Sequence, residues 1–325
     1  MKNFYINIAK LISRLFGFFN IKKKLITNIN FNLGLNNLLI ISEKYNDISN
    51  LAQSECKIFS QNGEDGILDY ITTMLKIDRP NFIEIGVGDY TEANTRFIYD
   101  RFYPKGIIID SLKDLKNKVL SNINYWKGDL TILEERISSE NINNIISKNC
   151  DFGIDIFSLD IDGIDYWIVN KLKSNISKIF VAEYNSVFGD SLEVTTPNLL
   201  NFDRKEYHYS HLCFGMSLKA LVNIMVKKNY YFIGANSARN NAFFISNDYP
   251  MDKYFKNLKV EDINYYVDSN IRESRDIKGN LNYLSKGKRI KEIYDCEVID
   301  LSSDIEKKVK IKDIIEAKKK LNQNK

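Results

Sequence analysis

Residues 82–95 read FIEIGVGDYTEANT. An apolar run carries Glu84, the turn Gly86-Val87-Gly88-Asp89 follows, and the chain then takes on helical character. A strand, a glycine turn and a helix in that order open a parallel α/β unit, whose ligand lies beyond the carboxyl end of the strand. Gly86 and Gly88 let backbone approach a ligand without a Cβ in the way. Position 91 is Thr, so the third glycine of a dinucleotide fingerprint is missing, and no Gly-Lys-Ser/Thr of a P-loop follows. Acids at 84 and 89 repel a pyrophosphate. They suit a ligand carrying positive charge and hydroxyls.

Outward from this turn, short apolar runs alternate with helical spacing. The runs are 81–87, 106–110, NYWKGD (124–129), 155–162, 179–185, 230–235 and 241–246. Helices are expected from about residue 64 and over 94–102, 130–150, 165–174 and 216–228. Alternation of this kind predicts an α/β fold with a mostly parallel sheet. Little more than SARN (237–240) separates the last two runs, so they are expected to form a hairpin with one antiparallel edge strand. Seven strands with a terminal hairpin differ from the pattern of a nicotinamide-dependent dehydrogenase.

The strand ends carry acids in series: Glu84, Asp110 at 26 residues' distance, Asp129 and Asp160. A carboxylate at the second strand end can accept both hydroxyls of a ribose, and an acid at the third can meet an adenine amine. Four such ends form an anionic rim that matches a sulfonium nucleoside, S-adenosylmethionine.

EIGVGD, the acid in IIIDS, the GD after YW and DIDGID after FSL together resemble a class I S-adenosylmethionine-dependent methyltransferase. With SQNGEDGIL (60–68), TEANT (91–95), GMSLKAL (215–221) and NAFFIS (241–246), the chain more closely resembles the FkbM-type methyltransferases and their relatives. The resemblance spans roughly residues 58–246. It departs at DIDGID, where the FkbM pattern more often has an Asp and a Glu around the glycine. It implies a Rossmann-like seven-stranded sheet with helices on both faces, and O-methylation of a sugar or glycan precursor of surface polysaccharide. Cofactor contacts are expected from Gln61, Glu64, Glu84, Gly86, Gly88, Asp89, Asn94, Asp110, Ser111, Asp129 and Asp160. Methylation of a phosphate-like or small-molecule acceptor, and a non-catalytic Rossmann-like partner protein, are the competing readings.

A sugar hydroxyl is a poor nucleophile and calls for a base or a metal. Asp160 and Asp162 share one side of the fourth strand end, which makes Asp162 a candidate base. Asp160, Glu183 and Asn185 offer an all-oxygen set for Mg²⁺ or another divalent cation; the competing reading has these acids only binding cofactor or capping a helix. The chain's two histidines, His208 and His211, fall in a loop expected over the acceptor. They are candidates for a base or an acceptor contact. Tyr166 and Trp167 either stack on a sugar or pack a helix.

Three segments are expected: a basic helical extension (1–55), the methyltransferase domain (56–250) and a lysine-rich extension (251–325) read as a solvated helical tail. Six cations precede the first acid, and the net charge is +4, so the remainder carries −2. That balance argues against a nucleic-acid partner. The apolar run in residues 1–24 is broken by Lys10 and Arg14, too interrupted to span a bilayer, and it lacks a signal-peptide cleavage site. It reads as an amphipathic helix that packs on the domain or touches anionic lipid, compatible with a lipid-linked acceptor. Cys56, Cys150, Cys213 and Cys296 are too far apart in sequence for a metal knuckle or a Cys-x-x-Cys pair. They read as reduced thiols of a cytoplasmic protein, at the inner face of the membrane if the N-terminus binds lipid.

Overall fold

A computed structural model describes residues 25–270, 273–303 and 305–323. The amphipathic-helix and lipid-contact readings of residues 1–24 lie outside them. In chain order the strands are β1 (Phe82–Ile85), β2 (Lys105–Asp110), β3 (Asp129–Glu134), β4 (Ile156–Leu159), β5 (Ile179–Glu183), β6 (Val194–Thr195), β7 (Tyr230–Ala235), β8 (Asn241–Ser246), β9 (Glu297–Asp300) and β10 (Lys307–Lys310). The helices are α1 (25–42), α2 (Glu64–Met74), α3 (Arg96–Phe102), α4 (Leu115–Asn122), α5 (Ile142–Asn149), α6 (Asp165–Lys171), α7 (Arg204–Tyr207), α8 (Leu218–Lys227), α9 (Met251–Tyr254), α10 (Gly287–Glu292) and α11 (Ile311–Gln323).

Seven strands form the main sheet in the order β3-β2-β1-β4-β5-β8-β7. β1 to β5 pair in parallel, and β8 runs antiparallel to both β5 and β7. The fold is thus mixed α/β with a Rossmann-like sheet. The expected hairpin is present, but its reversed strand lies second from the edge, with β7 outermost.

Side chains alternate across this sheet with period two. Phe82, Ile108, Ile156 and Val181 enter a cluster with Ile67 and Ile71 of α2 and Phe97 of α3. Ile83, Ile107, Ile109, Phe157 and Phe180 enter another with Ile142, Ile168 and Leu221, on α5, α6 and α8. Each fully buried Ile or Phe is worth about 1.5–3 kcal/mol, so helices clamp the sheet on both faces. The described part of the N-terminal segment belongs to the first cluster, through Leu38, Tyr45, Ile48 and Leu51.

Two expectations need correction. NYWKGD is a turn, and β3 begins at Asp129 where that run ends, leaving α5 alone in the second half of 130–150. The C-terminal segment is more than a helical tail. β9 and β10 pair antiparallel, and β9 also pairs with β6, giving a second sheet of three strands. Val187, Phe188, Val194, Leu212, Val298 and Ile311 fill its own apolar cluster. The excursion from β5 to β7 supplies half of that core.

Asp65 closes the turn ahead of α2. Its Oδ2 accepts from the backbone nitrogens of Ile58, Phe59 and Ser60 at 2.6–2.8 Å, while Oδ1 is buried without a hydrogen-bond partner. Burial pushes its carboxyl up to about 7, against those hydrogen bonds. A raised carboxylate pKa stabilises the folded state below the unfolded value near 4, and that stability is lost as pH rises through about 7. Melting temperature should therefore fall between these values, and Asp65→Asn should flatten the profile. An unchanged slope in that variant would show that other groups set it.

Candidate functional site

A cleft of about 650 Å³ opens at the carboxyl ends of β1, β2 and β4 and at the amino end of β8, the antiparallel partner of β5. Gln61, Glu64, Glu84, Gly86, Gly88, Asp89, Asn94, Asp110, Ser111, Asp160 and Asp162 line it, as do Glu135, Arg136, Arg204, Lys205, Asn240 and Asn241.

Its floor is the glycine turn. Gly86 has φ +86°, and a Cβ there would stand 1.5 Å from the backbone oxygen of Asp160. β1 and β4 can come this close only with glycine at 86. Gly88 has φ +54° and open space where its Cβ would be. Its N–H donates to Asp110 Oδ2 at 2.8 Å, and Leu112 N–H donates to Asp110 Oδ1 at 2.8 Å. Two backbone donors fix this half-buried carboxylate on the cleft wall, with lone pairs to spare.

Several of the expected residues work inward. Glu84 accepts from Asn94 N at 2.8 Å and from Thr95 N at 2.9 Å, so it holds the start of α3. Burial raises its carboxyl. Asn94 Nδ2 donates to Ser158 Oγ at 3.1 Å. Glu64 Oε1 accepts from Asn236 and Asn241 side chains at 2.7 and 2.9 Å, which ties α2 to the β7–β8 hairpin. Asn241 Oδ1 is buried with no hydrogen-bond partner. It offers an acceptor beside the cleft, suited to an ammonium group.

At the other side, DIDGID forms a tight turn. Asp165 accepts from Ile161 N and Gly163 N, both at 2.9 Å, and burial pushes it up to about 6. Asp162 sits at φ +54°. Asp160, Asp162 and Glu183 bring carboxylate oxygens within 4.8 Å of one another. Burial is the main reason all three are raised, Asp160 and Glu183 well above the usual range; repulsion from Asp162 and Asp165 adds at Asp160, where a hydrogen bond with Glu183 works against it, and repulsion from Asp160 and Asp162 adds at Glu183. Arg204 Nη1 meets Asp162 Oδ1 at 2.8 Å, and Nη2 lies 3.7 Å from Glu273. Arg136 donates to the carbonyls of Leu200 and Phe202, holding the loop that forms the rim.

Four expected site residues lie elsewhere. Asp129 starts β3 opposite Lys105, at the far end of the sheet; Glu134 stands beside Asp110 instead. Asn185 is saturated: it donates to Leu212 O and Phe214 O at 2.8 and 3.0 Å and accepts from Val187 N. Asp162 takes its place beside Asp160 and Glu183. Neither histidine lines the cleft. His208 Nδ1 bonds Ser210 Oγ at 2.7 Å, and the ring lies against Cys296. Cys296 is brought to about 6 by a hydrogen bond from Cys213 first and His208 next, so folding joins two thiols that sequence spacing keeps apart. Both are free. His211 stands 3.9 Å from Glu273, and burial lowers its pKa. Trp167 donates to Thr196 O at 2.8 Å and, with Tyr166, packs against the second core cluster.

Sequence reading missed Arg136, Arg204, Asn240 and Asn241. The one local signal was Asp203, which caps α7 and places Arg204 in its first turn.

No protein-family model matches this chain, and no curated protein matches it. Among solved structures it is similar to the pyocyanin biosynthetic protein PhzM (12% identity, TM-score 0.34), over 54% of this chain and 53% of that one. It thus spans about half the length of PhzM. It is also similar to an S-adenosylmethionine-dependent methyltransferase from Clostridium acetobutylicum (8%, 0.37, over 55% and 89%). A SAM-dependent methyltransferase from Anabaena variabilis is another (12%, 0.34, over 58% and 86%).

Proposed function

We propose that this chain is an S-adenosylmethionine-dependent O-methyltransferase acting on a sugar or glycan precursor. The observation that carries the cofactor reading is Asp110, a carboxylate pinned by Gly88 N and Leu112 N on the wall of an otherwise open glycine turn. It can accept both ribose hydroxyls, while Gly88 leaves room above the backbone. Gln61 and Asn241 Oδ1 lie on the side suited to the methionine amine.

Transfer forms an oxygen–carbon bond and breaks the sulfonium–carbon bond. The hydroxyl proton must leave with a base. Asp160, Asp162 and Glu183 are the carboxylates placed to take it, rather than the histidines. Their all-oxygen donor set also fits a hard divalent cation, which would polarise the acceptor hydroxyl; these three would hold it. Arg136 and Arg204 add positive charge on the acceptor side. They favour a sugar bearing phosphate, the point at which the phosphate-like reading draws support.

Calorimetric titration with S-adenosylhomocysteine, with NAD as control, tests the cofactor. Binding of the first alone is expected. Asp110→Ala should weaken it about 10- to 100-fold, the value of hydrogen bonds to a charged group. Binding of NAD alone, or of neither ligand to folded protein, rejects this reading.

A further inference from the structure

Folding brings Cys213 and Cys296 together. Cys213 lies in the excursion from β5 to β7, and Cys296 lies between α10 and β9. Their side chains are hydrogen-bonded to each other, Cys213 donating, inside the apolar cluster of the second sheet. Cys213 is fully buried, whereas Cys296 is 7% exposed and sits between the exposed residues Asp295 and Glu297, just under the surface. His208 packs against Cys296 as a second donor. Ser210 N donates to His208 Nδ1 at 3.3 Å, so the neutral ring carries its proton on the other nitrogen. The remaining cysteines differ: burial raises the thiols of Cys56 and Cys150 above their ordinary value.

The segment that carries Cys213 also shapes the cleft. Gly215 N donates to Gly163 O of the DIDGID turn at 3.0 Å. Asn185 Nδ2 donates to Leu212 O and Phe214 O. The Phe214 ring lies 5.1 Å from the Arg204 guanidinium that pairs with Asp162. On its other side the same segment reaches the chain around Cys296. Tyr207 Oη donates to Glu297 O at 2.6 Å, and Tyr209 Oη donates to Glu292 Oε1 at 2.7 Å. Residues 204–215 thus bridge the carboxylate cluster and the second sheet, and the two thiols meet on that bridge.

We propose that Cys213 and Cys296 close to a reversible disulfide, a redox switch that fastens residues 204–215 to the second sheet. Cys296 is the attacking sulfur, because two donors stabilise its thiolate, and Cys213 is the resolving one. With hydrogen peroxide as oxidant, the Cys296 thiolate bonds one oxygen, the O–O bond breaks and hydroxide leaves. Cys213 then bonds the sulfenic sulfur, the S–O bond breaks and a second hydroxide leaves. The protons shed by the two thiols turn both hydroxides into water, so the thiols are oxidised and the peroxide is reduced. An external dithiol reverses the bond by exchange. The disulfide fixes Cys213 two residues from the Gly215–Gly163 contact, so oxidation bears on the acceptor side of the cleft. That consequence rests on the methyltransferase reading; the disulfide itself does not.

The test treats the full chain with hydrogen peroxide, alkylates it under denaturing conditions with N-ethylmaleimide and maps its unreduced peptides by mass spectrometry. A linked Cys213–Cys296 pair is expected, with Cys56 and Cys150 alkylated and dithiothreitol restoring all four thiols. Trypsin cleavage of the native protein after Arg204 and Lys205 should slow about tenfold on oxidation, since local opening exposes this segment to the protease. Cys213→Ala should leave peroxide-treated Cys296 as a sulfenic acid that dimedone captures, and should abolish the protection. Should that variant not fold, the wild-type map and its cleavage rate still decide. Thiols that resist excess peroxide, a sulfenic or sulfinic acid on Cys296 with Cys213 still free, or a disulfide joining two chains overturns the proposal. So does a linked pair that leaves the cleavage rate unchanged.

Discussion

Gly86→Ala should destabilise the protein by about 3 kcal/mol or more and abolish S-adenosylhomocysteine binding, whereas Gly88→Ala should fold and bind poorly. The two glycines sit two residues apart with positive φ, yet their surroundings differ. A Cβ at 86 would meet the Asp160 backbone oxygen at 1.5 Å, and Asp160 N donates to Ile85 O at 3.0 Å. The methyl group therefore has to force β1 and β4 apart at the centre of the sheet. At 88 nothing lies within 4 Å of the added methyl group. Only the left-handed backbone resists, at a cost of about 1 kcal/mol. The methyl group then occupies space that a nucleoside would cross, and affinity should drop about tenfold or more. Thermal melts and calorimetry on both variants separate the effects. Wild-type binding by Gly88→Ala would mean that the ligand does not pass over this turn.

The contrast between these glycines is invisible in the sequence, where both belong to one motif. What was legible follows from burial. β1, β2, β4, β5 and β8 lie inside the sheet, so their apolar runs are nearly continuous. β3 is an edge strand whose residues are all half-buried or exposed, and DLTILE gave a weaker signal than the aromatic NYWKGD before it. β10 reads KKVK because it is an exposed edge, which hid the second sheet within a lysine-rich stretch. Asn185 looked like a ligand because a short polar side chain after a strand can serve a metal or cap the next turn. Capping prevailed here, since Val187 N needed an acceptor. The meeting of Asp162, Arg204 and Glu273 joins distant segments, and no local pattern announces it.

Magnesium should raise the melting temperature, and by more at high pH than at low pH. Asp160, Asp162 and Glu183 have raised pKa values from burial first, and at low pH protons neutralise them. Their contribution to folding is present below the unfolded values near 4 and is lost as pH rises through the folded ones. A divalent cation held by the deprotonated cluster would offset that loss; at 100 times its dissociation constant it would contribute about 2.7 kcal/mol. Asp162→Asn removes one charge and should weaken the magnesium response about tenfold or more, while the Arg204 guanidinium loses its closest carboxylate partner. The same variant should lower turnover by about 10²–10⁴, the range for loss of a general base, with S-adenosylhomocysteine affinity unchanged because Asp110 and the glycine turn are untouched. Magnesium without effect at high pH, together with lost turnover in the variant, would leave the cluster sharing protons alone and assign Asp162 as base without a cation. Unchanged turnover would remove Asp162 from the chemistry and leave Asp160 and Glu183 as the carboxylates to test.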